Sequence, residues 1–180
     1  MRIWYDTEFL DDGVRIDLIS IGMVAEDGRE LYAVSSQFDQ AAVRRHGWLM
    51  ANVWPSLPIL KNPRGQRGID RIDVTHPDVH PRAQIARMVR DFILATPDRQ
   101  LWAYYAAYDH VALAQLFGPM CDLPAGVPMQ TDDLVTEAKR LGLDPDKDLP
   151  QQEAGHHNAL ADARHNLAMA TYMDSVARKA

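Results

Sequence analysis

Acidic side chains stand at three points of the sequence where a strand or helix is expected to begin or end. Asp6 and Glu8 follow an apolar run and are two residues apart, so on a strand both point to one face, ~6.5–7 Å apart. Asp109 follows the apolar run 101–106, and Asp162 lies near the start of a C-terminal helix. Neighbouring carboxylates repel each other unless a divalent cation with oxygen ligands lies between them. The acids therefore predict a divalent-metal site.

Each acid alone has an ordinary alternative. The tripeptide from Asp6 to Glu8 is a common one, and it also fits a solvated pair at a strand end or a helix N-cap. Asp109 fits the N-cap of a following helix, and Asp162 fits an exposed helix face. Only the combination of the segments favours the metal site over these alternatives.

A histidine precedes the last acid by five residues. In a helix this spacing turns His157 by ~140° from Asp162, so both reach one cleft only if His157 lies on the loop before the helix. Imidazoles titrate near neutral pH, which suits a general base, whereas a surface histidine is the alternative. His156 competes for the role, while His110 and His165 fall on expected helices and are typical of structural or surface positions.

The apolar pattern predicts five strands and five helices. Turn signals at 11–13 and 27–28 join the first three strands as an antiparallel meander, and helices and strands then alternate. This order predicts an α/β fold with a mixed five-stranded sheet and helices on both faces. The strands are expected at 2–6, 15–25, 30–38, 101–106 and 127–131, and the helices at 41–53, 81–95, 109–116, 132–141 and 158–177.

Length and composition indicate a soluble globular protein. The 180 residues fit one domain, residues 1–180, and 47% of them are hydrophobic and 24% charged. The charged N-terminus excludes an ordinary signal peptide, and no run of about 18 apolar residues predicts a membrane helix. A single cysteine, Cys121, forms no internal disulfide, which fits the cytoplasm. A catalytic role for Cys121 is disfavoured because no histidine lies near it in sequence.

In their order along the chain, the three acidic segments resemble the DEDDh 3′–5′ exonucleases. The most specific segment is the His-x-Ala-Leu-x-Asp-Ala run that begins at His157. Residues 5–9, 18–22, 24–30 and 107–113 are similar to the polyadenylate-preferring exoribonucleases of actinobacteria, the RNase AS group. Many DEDDh enzymes have asparagine four residues before the second aspartate. Tyr105 stands there, which is again similar to the RNase AS pattern.

The resemblance implies an RNase H-like fold and a metal-dependent 3′–5′ exoribonuclease that releases nucleoside 5′-monophosphates from single-stranded RNA, with a preference for 3′ adenines. Asp6, Glu8, Asp109 and Asp162 would hold two Mg²⁺ or Mn²⁺ ions, and His157 would be the general base. A homodimer is also implied. A DNA-directed exonuclease and a non-catalytic nucleic-acid-binding relative remain open. A dehalogenase-type phosphatase is disfavoured because Glu8 replaces its second aspartate.

Substrate contacts are expected around the acids. The candidate residues are Thr7, Phe9, Leu18, Ile19 and Tyr108. Core packing is the alternative for Phe9, Leu18 and Ile19. The net charge of −6 disfavours indiscriminate binding of nucleic acid, unless bound cations invert the local field. The basic segment 61–71 suits upstream phosphates, and a solvated loop is its alternative.

Overall fold

The computed structural model describes residues 1–62 and 70–179. Its strands are β1 (Arg2–Asp11), β2 (Ile16–Ala25), β3 (Glu30–Ser35), β4 (Ile59–Leu60), β5 (Arg71–Ile72), β6 (Val79–His80), β7 (Gln100–Ala103) and β8 (Asp132–Asp133). Six of them form one sheet in the order β6-β3-β2-β1-β7-β8, and β4 pairs with β5. The predicted meander of β1 to β3 is antiparallel, while β7, β8 and β6 add in parallel.

The helices cover both faces of this sheet. They are α1 (Gln40–Arg45), α2 (Gly47–Asn52), α3 (Arg82–Leu94), α4 (Ala106–Ala114), α5 (Leu134–Arg140) and α6 (Ala159–Ala177), with short 3₁₀ helices at Trp54–Ser56 and Met120–Asp122. The α/β class is confirmed, and a mixed sheet flanked in this way is compatible with an RNase H-like fold. No helix in the described ranges is both long and apolar enough to cross a membrane.

Three details of the predicted sheet were wrong. The first strand continues to Asp11 rather than ending at Asp6, so Asp6 and Glu8 lie within it and not at its end. The sheet has six strands rather than five, because Val79–His80 adds beside β3. The strand expected at 127–131 lies instead at Asp132–Asp133, where it pairs with the end of β7. Both edge strands are two residues long, so their sequences contain too little alternation to reveal them.

Two helices also differ from the prediction. The helix expected at 41–53 is broken at His46, which has an extended backbone and caps α2 by accepting a hydrogen bond from Leu49 N at Nδ1 (3.3 Å). The helix expected at 109–116 begins earlier, at Ala106, because Asp133 Oδ2 accepts a hydrogen bond from Ala106 N (2.8 Å). Asp109 therefore lies inside the first turn of α4 and does not cap it.

Alternate residues of β1 face different helical layers. Ile3 and Tyr5 belong to the cluster that packs against α3 and α4, whereas Trp4 packs with Met169 and Met173 of α6. All ten residues of β2 are buried, because helices cover both sides of this central strand. The alternation points Asp6 and Glu8 toward α6 and Thr7 toward α4.

Gly22 allows α6 to approach the sheet beside the acids. It pairs with Asp6 across the strands, and a Cβ atom built on it would lie 2.3 Å from the backbone of Ala159. Any side chain at this position pushes away the first turn of α6, which carries Asp162. The absence of a side chain at Gly22 therefore sets the distance between α6 and β1.

We expect Gly22→Ala to destabilise the protein by about 1–3 kcal/mol, since two backbone segments must separate. Thermal unfolding should show a melting temperature lower by several degrees. Gly47→Ala is the matched control, because a Cβ atom there has no neighbour within 4 Å and alanine favours the helix. Equal melting temperatures for the two variants would contradict this account of the close approach.

Candidate active site

A cleft of about 560 Å³ opens where the middle of β1 meets α4 and the start of α6. All five residues predicted to do the chemistry line it. They are Asp6, Glu8, Asp109, His157 and Asp162. The acids come from a strand and two helices, so the fold brings together residues that are up to 156 positions apart in the sequence.

A β-bulge interrupts the pairing of β1 with β2 directly beside the acids. Glu8 pairs with Ser20 while Phe9 pairs with Leu18, so Ile19 is the extra residue. Bulges twist a strand and redirect its side chains, and they are frequent next to active sites. Here the bulge lies beside Glu8, which lines the cleft. Leu18 and Ile19, on the neighbouring strand at the bulge, are fully buried.

Thr7 holds the carboxylate of Asp109. Its backbone N–H and its hydroxyl both donate to Asp109 Oδ1, at 2.8 and 2.6 Å. Thr7 is 5% exposed and Asp109 is 6% exposed. The hydroxyl of Thr7, which was expected to contact substrate, is therefore committed to orienting an acid.

The start of α6 brings Asp162 and His157 to Glu8. Asn158 caps the helix by accepting a hydrogen bond from Ala161 N, and His157 lies on the loop before it, as the spacing required. Ligand atoms of Glu8, His157 and Asp162 lie within 4.8 Å of one another, and His157 Nδ1 is 3.9 Å from Glu8 Oε1. Two carboxylates and one imidazole are therefore close enough together to bind a common metal ion.

Asn166, one turn beyond Asp162, fixes α6 to the strand. Its buried Nδ2 donates to the carbonyl of Tyr5 at 2.9 Å, immediately before Asp6. Sequence analysis missed this residue, although a polar side chain one helical turn from Asp162 was a usable signal. The bond contributes to fixing the position of α6 against β1.

Burial raises the pKa values of all four acids, and neighbouring carboxylates raise those of Asp6, Glu8 and Asp109 further. Burial, together with Asp109, Glu8 and Asp162, raises the pKa of Asp6 well above its usual value. Burial, together with Asp162 and Asp109, raises the pKa of Glu8 to about 8. Burial raises the pKa of Asp109 to about 6 despite the bonds from Thr7, and burial also raises the pKa of Asp162.

This electrostatic arrangement fits divalent cations. Within the described residues no lysine or arginine lines the cleft, so no side chain with a permanent positive charge compensates the acids. Hard cations such as Mg²⁺ and Mn²⁺ prefer carboxylate oxygens, and their charge would favour the ionised forms. Asp6, Glu8, Asp109 and Asp162 are the residues that could hold them.

Among the competing candidates, His156 and His110 have other hydrogen-bond partners, while His156 and His165 line the cleft. His156 Nε2 is 3.0 Å from Gln152 O, and the His156 ring is exposed. His110 lies outside the cleft, with Nδ1 3.0 Å from Thr131 Oγ1. His165 lines the cleft wall on α6. Cys121 is exposed and does not line the cleft, so nothing in the structure favours a cysteine nucleophile.

Aromatic side chains surround the acids. Phe9 and Tyr108 line the cleft with nearly parallel rings, 15° apart at a centroid distance of 6.0 Å. Sequence analysis missed Trp48 and Tyr104, which also line the cleft, because they lie in an expected helix and a buried strand. Such rings form surfaces on which bases can stack.

Two sequence-based expectations about substrate have different outcomes. Leu18 and Ile19 have no exposed surface and belong to hydrophobic clusters, so they do not line a base pocket, and this prediction was wrong. Their side chains fill the two layers on either side of β2. Most of the basic segment 61–71 lies outside the described residues.

Comparisons with known proteins agree with the geometry. Residues 1–173 match a family model described as a 3′–5′ exoribonuclease Rv2179c-like domain. Two similar proteins come from Mycobacterium tuberculosis: the 3′–5′ exoribonuclease MT2234.1 of strain CDC 1551 / Oshkosh and the 3′–5′ exoribonuclease Rv2179c of strain ATCC 25618 / H37Rv. Each is 42% identical to this chain over 167 residues, which cover 93% of this chain and 89% of the relative.

Proposed function

The chain belongs to the 3′–5′ exoribonuclease Rv2179c-like family, and from this premise we propose that it is a metal-dependent exoribonuclease of the DEDDh type. It removes nucleoside 5′-monophosphates one at a time from the 3′ end of single-stranded RNA. The observation that carries the proposal is the meeting of four acids with raised pKa values and one histidine in a single cleft. Residues 1–180 act as one exonuclease domain.

The proposed chemistry is hydrolysis of the terminal phosphodiester. Bound divalent cations supply positive charge that activates a water molecule and stabilises the charge developing on the phosphate. Asp6, Glu8 and Asp162 would hold one cation, and Asp6 and Asp109 the second. His157 accepts a proton from the attacking water. The oxygen of water becomes bonded to phosphorus, the bond to the 3′ oxygen of the preceding nucleotide breaks, and that oxygen is protonated to a hydroxyl.

The rim of the cleft suits a single strand of RNA. Phe9, Trp48 and Tyr108 offer ring faces or edges to unpaired bases, which a duplex would not present. The proposed preference for 3′ adenines is supported by the resemblance of residues 5–9 and 107–113 to the RNase AS group. A cytoplasmic homodimer completes the proposal, because closed two-fold dimers are the commonest assemblies of such enzymes.

A time course with 5′-labelled RNA that ends in adenines tests this function. We expect a ladder that shortens from the 3′ end with Mg²⁺ or Mn²⁺, that stops with EDTA, that disappears in Asp6→Ala, and that forms about 10²–10⁴-fold more slowly in His157→Ala. Parallel lanes with DNA of the same sequence test the sugar preference, and RNA ending in other bases tests the adenine preference. If wild-type protein shortens neither polymer with either metal, a non-catalytic binding protein becomes the better interpretation.

We expect Thr7→Val to lower kcat by about tenfold to hundredfold, because it removes one of two hydrogen bonds that orient Asp109. Thr7→Ser should restore most of the activity, since serine keeps the hydroxyl. Thr171→Val is the control, because the hydroxyl of Thr171 donates to Leu167 O on the exposed side of α6. Equal kcat values for Thr7→Val and Thr171→Val would show that Asp109 needs no support from the hydroxyl.

A further inference from the structure

His157 has a backbone conformation that needs support from its surroundings. Its φ angle is +61°, in the left-handed region that is unfavourable for residues with a side chain. Glycine adopts this conformation without strain, whereas the Cβ atom of histidine makes it unfavourable. Contacts from other parts of the chain must therefore stabilise the loop that carries it.

Ser56 supplies a contact to the backbone of His157. Its hydroxyl lies 2.6 Å from the carbonyl oxygen of His157 and 2.8 Å from that of Val53, so it donates its one hydrogen between them. The contact to His157 bridges 101 positions of sequence. It ties the histidine loop to the 3₁₀ helix Trp54–Ser56, whose first residue, Trp54, is buried in the core.

Trp48 supplies a contact to the side chain of His157. The two rings meet edge to face, with centroids 4.8 Å apart and planes at 75°. Trp48 is 52% exposed although it is a large aromatic residue, and it lines the cleft. The break at His46 starts a new helix and so sets the direction from which Trp48 reaches the cleft.

We propose that Ser56 and Trp48 are positioning residues for His157, fixing its carbonyl and its ring respectively, so that the imidazole faces Glu8. The proposal rests on the proposed function, in which His157 is the general base. The segment 46–56 contributes no acid to the cleft, but through these two contacts it fixes the position of His157. Small displacements of a general base have large effects on rate, because proton transfer depends steeply on geometry.

Steady-state kinetics with adenine-ended RNA and Mn²⁺ provide the first test. We expect Ser56→Ala to lower kcat by about tenfold or more, with KM changed by less than about twofold. Trp48→Ala should lower kcat by a similar factor and also raise KM, because the same ring lines the cleft where bases are expected to stack. Ser56→Thr and Trp48→Phe should recover most of the rate, because they keep a hydroxyl and an aromatic ring. The rise in melting temperature with Mn²⁺ should equal that of wild type, since the acids are unchanged.

Two controls separate positioning from general damage. In Ser175→Ala, the hydroxyl that is lost bonds to a carbonyl three residues earlier, as Ser56 does to Val53, but far from the cleft. Its rate should equal that of wild type. Combined with His157→Ala, Ser56→Ala should cause no further loss of rate, because a positioning residue has no effect without its target. Additive losses in this double variant would overturn the proposal.

Hydrogen–deuterium exchange tests the same claim without RNA or metal. In Ser56→Ala, the amides of residues 155–162 should exchange faster than in wild type while those of β1 and β2 stay protected. Unchanged exchange in 155–162, or faster exchange throughout the chain, would overturn the proposal. If wild-type protein does not shorten RNA, the proposed function fails, and the exchange result alone still decides whether Ser56 holds the loop.

Discussion

Replacing Asp6 by asparagine should abolish RNA shortening and, at the same time, make the metal-free protein more stable. Asparagine keeps the size of the side chain and removes its charge. Burial and three neighbouring acids raise the pKa of Asp6, so that either its charge or its protonation costs free energy in the folded state. We expect the free energy of unfolding without metal to increase, by about 0.5–2 kcal/mol as is usual when a destabilising group is removed from an active site.

The same substitution removes an expected ligand of both cations, so kcat should fall by about 10³-fold or more. Activity with Mn²⁺ and melting temperature in EDTA, both near neutral pH, measure the two effects. Asp122→Asn is the matched control, because this exposed acid lies away from the cleft and should change neither quantity. An Asp6→Asn protein that melts at or below the wild-type temperature would show that the acids do not destabilise the fold.

The candidate site could be predicted from the sequence because its acids interrupt otherwise apolar segments. Asp6 and Glu8 stand out because they follow an apolar run and have the two-residue spacing that places both on one face of a strand. The strand β2 and the helix α6 were also predictable, because each is a long segment with a strong apolar pattern. The first strand was predicted only as far as Asp6, because the acids at positions 6 and 8 interrupt its apolar pattern. Charged residues in segments that otherwise pack in the core were the signal that indicated a functional site.

What escaped prediction depends on contacts between distant segments. Ser56 and Trp48 reach His157 across about a hundred residues, and no local pattern reports such a contact. The start of α4 was misplaced because its cap comes from the side chain of Asp133. Leu18 and Ile19 were misassigned because an apolar run shows that a strand is buried but does not show which side chains border a cleft.

Metal should stabilise the protein more strongly as the pH rises from about 6 to about 8. Burial and neighbouring acids raise the pKa of Glu8 from 4.5 to about 8, and burial raises that of Asp109 from 3.8 to about 6. Between the unfolded and folded pKa values the folded state binds more protons than the unfolded state. The stability of the metal-free protein therefore falls as the pH rises through this window.

Cations bind the ionised carboxylates, so binding must release the protons that Glu8 and Asp109 retain. Each proton released makes the apparent affinity rise about tenfold per pH unit, because one proton corresponds to about 1.4 kcal/mol per unit. The melting temperature with Mn²⁺ should exceed the melting temperature with EDTA by a larger margin at about pH 8 than at about pH 6. Glu8→Gln should flatten the metal-free curve, since glutamine does not titrate. A difference between the EDTA and Mn²⁺ curves that stays constant with pH would mean that the acids are already ionised without metal, and another positive charge would then have to balance them.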